Sequence, residues 1–365
     1  MKILVLLLLT ALAAAAEGLP APLSGGKAGL ELRYRHENVE QPDKPSTAAA
    51  NTLRLRLNLR SGSAGGFSGF AELDHVLVVG GVRYDSTRNG QVEFPVVADP
   101  EGTDLNQAYL QYAGNAGTIL RLGRQRMRLD SERFIGAVGW RQNEQTYDAF
   151  TLETTALPGL TASYAYIDEV RRPFGPDRGS PQLSSGTHGL RYDGSHGFGR
   201  ELKFGWALEY ARQQRGSRNP ASIDADYSLI ELSLGNQAAG FTVGREALSG
   251  ERGTFTASMN PAFQTRLATL HKWQGWADKF LTTPSAGIED IYMGLRGSLA
   301  GWSGQAAWHD FQAQATGLHY GTELDLSVSR KLRERYEVLA KYADYSASGL
   351  FTDTRKFWRQ LAASF

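Results

Sequence analysis

Alternation of apolar and polar residues at every second position constrains this chain more than any other feature. The clearest run is Leu53-Arg54-Leu55-Arg56-Leu57-Asn58-Leu59-Arg60. Successive side chains of a strand point to opposite faces, so four leucines share one side and Arg54, Arg56, Asn58 and Arg60 the other. Leu30 to Arg35, Leu202 to Tyr210 and Glu323 to Val328 repeat the pattern. A helix needs a 3.6-residue period, which these runs lack.

Strands are expected near 28–36, 52–61, 67–78, 104–113, 117–125, 146–154, 159–168, 187–193, 201–212, 226–235, 239–247, 288–298, 302–312, 320–330, 334–344 and 355–365. That makes about sixteen (roughly 14–18), and bacterial outer-membrane barrels have even strand numbers. Every second connection is a short turn, such as Ser61 to Gly65, Leu157-Pro158 or Ala300-Gly301. The connections between them are mostly long: 37–51, 79–103, 126–145, 169–186, 213–225 and 248–287. Short periplasmic turns alternating with long extracellular loops are the expected layout of an all-β, antiparallel, up-and-down transmembrane barrel. A soluble sandwich has no reason to keep that parity.

The first residues agree. Lys2, the apolar run from Ile3 to Leu12 and the Ala14-Ala15-Ala16 site read as a secretory signal peptide over 1–16. A short segment, 17–26, then leads into a barrel over 27–365. Of 39 basic residues, removal of Lys2 leaves 38 against 38 acidic ones. That balance argues against a nucleic-acid partner. There is no cysteine, which excludes a disulfide framework, a thiolate metal site and a cysteine nucleophile. No cofactor is expected. After the leader no apolar run is long enough to cross a bilayer as a helix.

If the leucine face meets lipid, the opposite face lines the lumen. The candidate pore-lining or solute-binding residues are Arg33, Arg35, Arg54, Arg56, Arg60, Glu72, Asp74, Arg121, Arg124, Arg191, Asp290, Arg296, Glu323, Asp325 and Lys341. About sixteen strands leave an aqueous channel, whereas about eight would be filled by side chains. The early strands are arginine-rich and the late ones carry Glu323 and Asp325, so a transverse field across the lumen is expected. Trp206, Tyr210, Tyr164, Tyr166, Tyr192 and Tyr342 suit interfacial girdles on the outer face. In the last strand Phe357, Leu361, Ala363 and Phe365 share that face with Arg359, where a charge near midplane costs about 2–4 kcal/mol. The loop 248–287 carries Phe263, Trp273, Trp276, Asp278 and Phe280. Its apolar spacings of three and four suggest a short amphipathic helix, placed as a constriction of the mouth.

Enzymatic motifs are missing. His309-Asp310 are strand neighbours on opposite faces, and Asp193-Gly194-Ser195-His196 fall in an expected short turn. There is no H-E-x-x-H, phosphate-cradling glycine loop or G-x-S-x-G elbow, so no catalytic or metal-binding residue is assigned. A barrel hydrolase, a phospholipase or protease, is the alternative, and so is a plugged structural barrel.

The segment His271-Lys272-Trp273-Gln274-Gly275-Trp276-Ala277-Asp278-Lys279-Phe280-Leu281-Thr282-Thr283-Pro284, followed by Gly287-Ile288-Glu289-Asp290-Ile291-Tyr292, resembles the alginate-export family of outer-membrane barrels. Leu122-Gly123-Arg124-Gln125, Gly244 to Gly250 and Trp308-His309-Asp310-Phe311 look like the same family, in the same order. The resemblance implies a monomeric porin-like channel, and in its best-known member a passage for an anionic polysaccharide through an Arg/Lys-lined constriction. Arg54, Arg56, Arg124 and Asp290 are the positions it suggests for solute contact. This chain is shorter than that channel and its expected lumen mixes signs. The expectation is therefore a bacterial outer-membrane, porin-like channel for passive passage of small hydrophilic solutes, anionic or sugar-derived. Its other partners are outer-membrane lipid and the barrel-assembly machinery, met through the C-terminal strand ending in Phe365.

Overall fold

The computed structural model describes residues 25–365, apart from 116, 158, 175–184, 200, 217–222 and 254–259. The expected leader lies outside the described residues. Sixteen strands run in chain order: β1 (Lys27–Glu40), β2 (Ala48–Arg60), β3 (Phe67–Val78), β4 (Gly102–Ala113), β5 (Ile119–Gln125), β6 (Thr146–Leu157), β7 (Leu160–Arg171), β8 (Ser185–Phe198), β9 (Leu202–Arg215), β10 (Asp224–Gly235), β11 (Ala239–Leu248), β12 (Ile288–Leu299), β13 (Trp302–Gln312), β14 (His319–Leu332), β15 (Tyr336–Ala347) and β16 (Thr354–Ser364). All lie in one antiparallel up-and-down sheet.

The wall closes where the chain's first and last strands meet. β1 pairs with β16 from Glu31–Ser364 to Glu40–Arg355, and Leu30 and Phe365 exchange both backbone hydrogen bonds. Ladders join every neighbouring pair from β7 back through β1 and β16 to β8. Among the described residues no ladder joins β7 to β8. Hairpin turns crowd one end of the barrel. Between β12 and β13 the turn is only Ala300 and Gly301, with φ of 50° and 79°. Two positive φ values match the twist of the flanking strands. The long loops crowd the other end.

Burial along the strands reverses that of a soluble protein. Leu110 is 66% exposed and Leu295 59%, whereas Arg35 is 1% and Arg56 3%. Apolar side chains outside and charges inside are what lipid and a polar lumen require. Tyr164, Tyr166, Tyr192 and Tyr210 stand exposed on the outer face. Arg359 is there too, its guanidinium 5.0 Å from the centre of the Phe357 ring.

Two expectations need correction. The segment Asp193 to His196 is no turn, because β8 continues to Phe198 and pairs with β9 throughout. Among its described residues the long loop holds no amphipathic helix, only a three-residue 3-10 turn, Leu270–Lys272. Gln274, Gly275 and Asp278 all take positive φ, which a right-handed helix cannot continue through. Its aromatic residues serve several walls of the lumen instead of one helix face.

Candidate functional site

The lumen has two halves. Towards the turn end the inward side chains are wet: Arg60, Lys203, Arg296 and Lys331 are all exposed. Arg121 lies here as well, donating to Gln111 at 2.8 Å. Towards the loop end, loops 79–101 and 126–145 and segment 260–287 fold inward and narrow the barrel, leaving cavities between them.

Loop 126–145 hangs on the arginine wall of β1 and β2. Arg33 donates to the Gln142 side chain at 2.9 Å, to the Gly139 carbonyl at 3.0 Å and to the Arg141 carbonyl. Arg35 donates to the Trp140 carbonyl at 2.5 Å and lies 4.1 Å from the centre of its ring. Arg56 grips Asp74 with two hydrogen bonds, 2.7 and 2.6 Å, and reaches Glu144 at 3.0 Å. Arg54 stands 3.3 Å from Glu31 and 4.0 Å from Glu144. Glu72 takes Arg126 at 3.0 Å. Burial would raise the Glu144 carboxyl, but Arg56, Arg126 and Arg54 outweigh it and bring it down to about 2. The four arginines do face inward, yet each is buried beneath this loop.

The acidic wall of β14 holds the other loop. The Ala277 amide donates to Glu323 at 2.6 Å and the Trp276 amide to Asp325 at 3.1 Å. Any side chain at Gly275 would strike the Glu323 carboxylate. Asp290 on β12 takes His309 at 2.9 Å. Phe263 and Phe280 are buried in the aromatic cluster with Tyr227, Phe311 and Tyr345. Trp273 lies 5.2 Å from the Arg133 guanidinium, which pairs with Glu246 at 2.6 Å.

Between the walls the loops meet. Asp278 accepts from Arg141 at 2.9 Å, from Lys356 at 2.7 Å and faces His271 Nδ1 at 2.7 Å. Lys341 Nζ lies 2.7 Å from His271 Nε2 and 3.5 Å from the centre of the Trp276 ring. The Asp278 carboxylate only accepts, so Nδ1 carries the proton given to it and Nε2 is left to accept from Lys341. Trp140 stacks on the imidazole at 4.8 Å. Burial pulls His271 down to about 3 against the attraction of Asp278, so its ring is neutral at pH 7. Burial works against the Asp278 carboxylate, but His271, Lys356 and Arg141 outweigh it and hold it well below the ordinary range. Above this cluster a cavity of about 330 Å³ opens between the loops, lined by Arg141, Arg172, Lys279 and Lys356 among others.

Most sequence candidates thus fall on the lumen side, Arg191 among them, paired with Glu209 at 3.0 Å. Arg124 does not. It shares the outer face of β5 with Leu122, which is 62% exposed, and pairs there with Asp148 at 2.7 Å. Sequence reasoning missed Trp140, Arg141, Glu144, His271 and Lys356. Only His271 carried a signal, as a member of the Trp-Gln-Gly-Trp block.

A sixteen-stranded barrel, apolar outside and charged within, its loops turned into its own lumen, is a porin-like channel protein of the bacterial outer membrane. The alginate export family model matches residues 28–240, and the chain belongs to that family. No curated protein matches the sequence. Solved structures of the same architecture include OccK9 (OpdG) of Pseudomonas aeruginosa, with 14% identity and a TM-score of 0.71 over 95% of this chain and 100% of that one. Pseudomonas aeruginosa OpdK, solved with vanillate, gives 13% and 0.72 over 94% and 99%. Acinetobacter baumannii OccAB2 gives 13% and 0.72 over 95% and 100%.

Proposed function

We propose that this barrel passes small sugar-derived anions, uronates foremost, down their gradient across the outer membrane. The observation that carries the reading is the net-cationic pocket at the extracellular mouth, where Arg141, Arg172, Lys279 and Lys356 line one cavity with a single carboxylate, Asp278, which is already shared by Arg141 and Lys356. Burial and the neighbouring Lys356 hold Lys279 at about 8, so it carries charge at neutral pH and loses it in mild alkali. Rings of like charge select ions of opposite sign. The family's description names alginate export, and OpdK was solved with vanillate; both molecules carry carboxylates. The purified, refolded protein is expected to give steady conductance in planar bilayers, an anion-selective reversal potential in a salt gradient, and partial block by glucuronate but not glucose. Cation selectivity, or equal block by both sugars, would sink the anionic reading.

A plugged structural barrel is the second reading. It is favoured by the burial of Arg33, Arg35, Arg54 and Arg56 under loop 126–145. The absence of conductance at any voltage would select it.

A further inference from the structure

Among the described residues, the unladdered junction of β7 and β8 lies beside a cavity of about 650 Å³. Its lining comes from both sides of the junction, Ile167 and Val170 from β7, Thr187 and Leu190 from β8. Pockets of this size hold molecules with a single chain or ring system. The local sequence explains why the wall parts here. β8 has glycine at 186, 189, 194 and 197 among its 14 residues, and Ser163 and Ala165 are the small inward residues of β7. β8 still pairs with β9 along its whole length, so what its glycines remove on the β7 side is the cross-strand side-chain contact that would add to a ladder there. In hydrocarbon an unpaired strand edge costs several kcal/mol per backbone group, so such a junction persists only where something other than lipid tails meets it.

The cavity is two-faced. Phe134, Ile135, Ile167, Val170, Ile223 and Leu267 make it apolar, while Arg172 and Arg266 bring charge. Neither arginine has an ion-pair partner among the described residues, and Arg172 Nε is buried without a hydrogen bond. Burial pulls both guanidinium groups below their ordinary range, and Arg266 adds to the effect at Arg172. Of the lining carboxylates, Glu169 is held by Arg171 at 3.2 Å and Glu209 by Arg191 at 3.0 Å, and the third is Asp130. Arg172 also lines the extracellular pocket, so the two cavities share a wall. Outside, Tyr166 and Leu190 are exposed on the two lips of the junction.

We propose that the β7–β8 junction is a side door through which a single-chain amphiphile with an anionic head enters the barrel from the outer leaflet, its head on Arg172 and Arg266 and its tail on the Phe134–Ile167–Leu267 surface. The door is independent of axial conductance, so failure of one leaves the other standing. The test uses the full barrel in phosphatidylcholine nanodiscs with dodecanoate as probe. Saturable binding is expected, weakened about tenfold in Arg172→Gln/Arg266→Gln, which corresponds to one lost charge-assisted hydrogen bond. Ile167→Trp, which fills the apolar part and spares both arginines, should weaken it as well. The chain has no cysteine, so Tyr166→Cys with Leu190→Cys can be bridged specifically by a bis-maleimide across the lips. That bridge should slow dodecanoate loading and leave ion conductance unchanged. No saturable binding, equal binding of dodecanol, equal displacement by glucuronate, or loading unchanged by the bridge would each overturn the proposal. Retention of the heat-modifiable gel mobility of a folded barrel shows that each variant is assembled.

Discussion

Arg56 sits in a buried ion cluster, with Asp74, Glu144 and, at 3.6 Å, Glu72 around it. Removing one partner of a buried ion pair costs about 3–5 kcal/mol. Lumen water can reach the stranded carboxylates once the loop lifts, so roughly 2–3 kcal/mol is the fairer figure. Arg56→Ala is therefore expected to free the Glu144 end of loop 126–145 while Arg33 and Arg35 still hold 139–142, raising current noise more than mean conductance; a quiet, wild-type trace would show that Glu144 is held without Arg56. At this scale strand parity was the most readable signal. It put Arg33, Arg35, Arg54 and Arg56 on the lumen side and Arg359 outside, as found. It also contradicted one reading from the start: Arg121 and Arg124 are three apart, and residues three apart in a strand face opposite ways. What parity does not carry is whether an inward arginine meets water or a loop, because the loop's partners lie about a hundred residues away in the chain.

Among the elements, loop 249–287 was recognisable as special, while its conformation was not. Aromatic spacings of three and four fit a helix, but here each ring answers to a different strand of the wall. Its docking should depend on pH through His271. The folded ring titrates near 3, below its ordinary 6.5. An unfolded or undocked ring therefore binds a proton more readily, and stability present above about 6.5 is lost as pH falls towards 3. The slope approaches about 1.4 kcal/mol per pH unit in that window. Protonation would also set a second positive charge beside Lys341. Channel recordings should show loop openings growing more frequent from pH 7 to pH 4. His271→Gln, which still donates and accepts, should flatten that dependence between pH 4 and 6. If the variant and wild type respond alike, the imidazole is not the trigger.

For the whole molecule, sixteen strands and their end-to-end parity were legible because lipid on one side and water on the other impose period two on every strand. The ladders were not, since alternation says which way a side chain points and nothing about how firmly strands grip each other. The last strand sets Phe357, Leu361 and Phe365 on the lipid face and zips onto β1. We propose that this strand is what the barrel-assembly machinery receives. Truncating or replacing Phe365 with Asp should lower the heat-modifiable, membrane-inserted fraction several-fold in cells while leaving in-vitro refolding into detergent largely intact; equal loss in both would make Phe365 a packing residue only. The junction at β7–β8 has a mechanical corollary. Among the described residues it leaves two shells, β1–β7 and β8–β16, joined along the β1–β16 ladder like a clasp. Loop 126–145 belongs to the first shell and loop 249–287 to the second, and they are cross-tied by Glu132–Thr269 at 2.6 Å, Arg133–Glu246 and Arg141–Asp278. The stopper in the mouth is thus also the spoke that keeps the hoop from springing, and whatever draws it out slackens the rim.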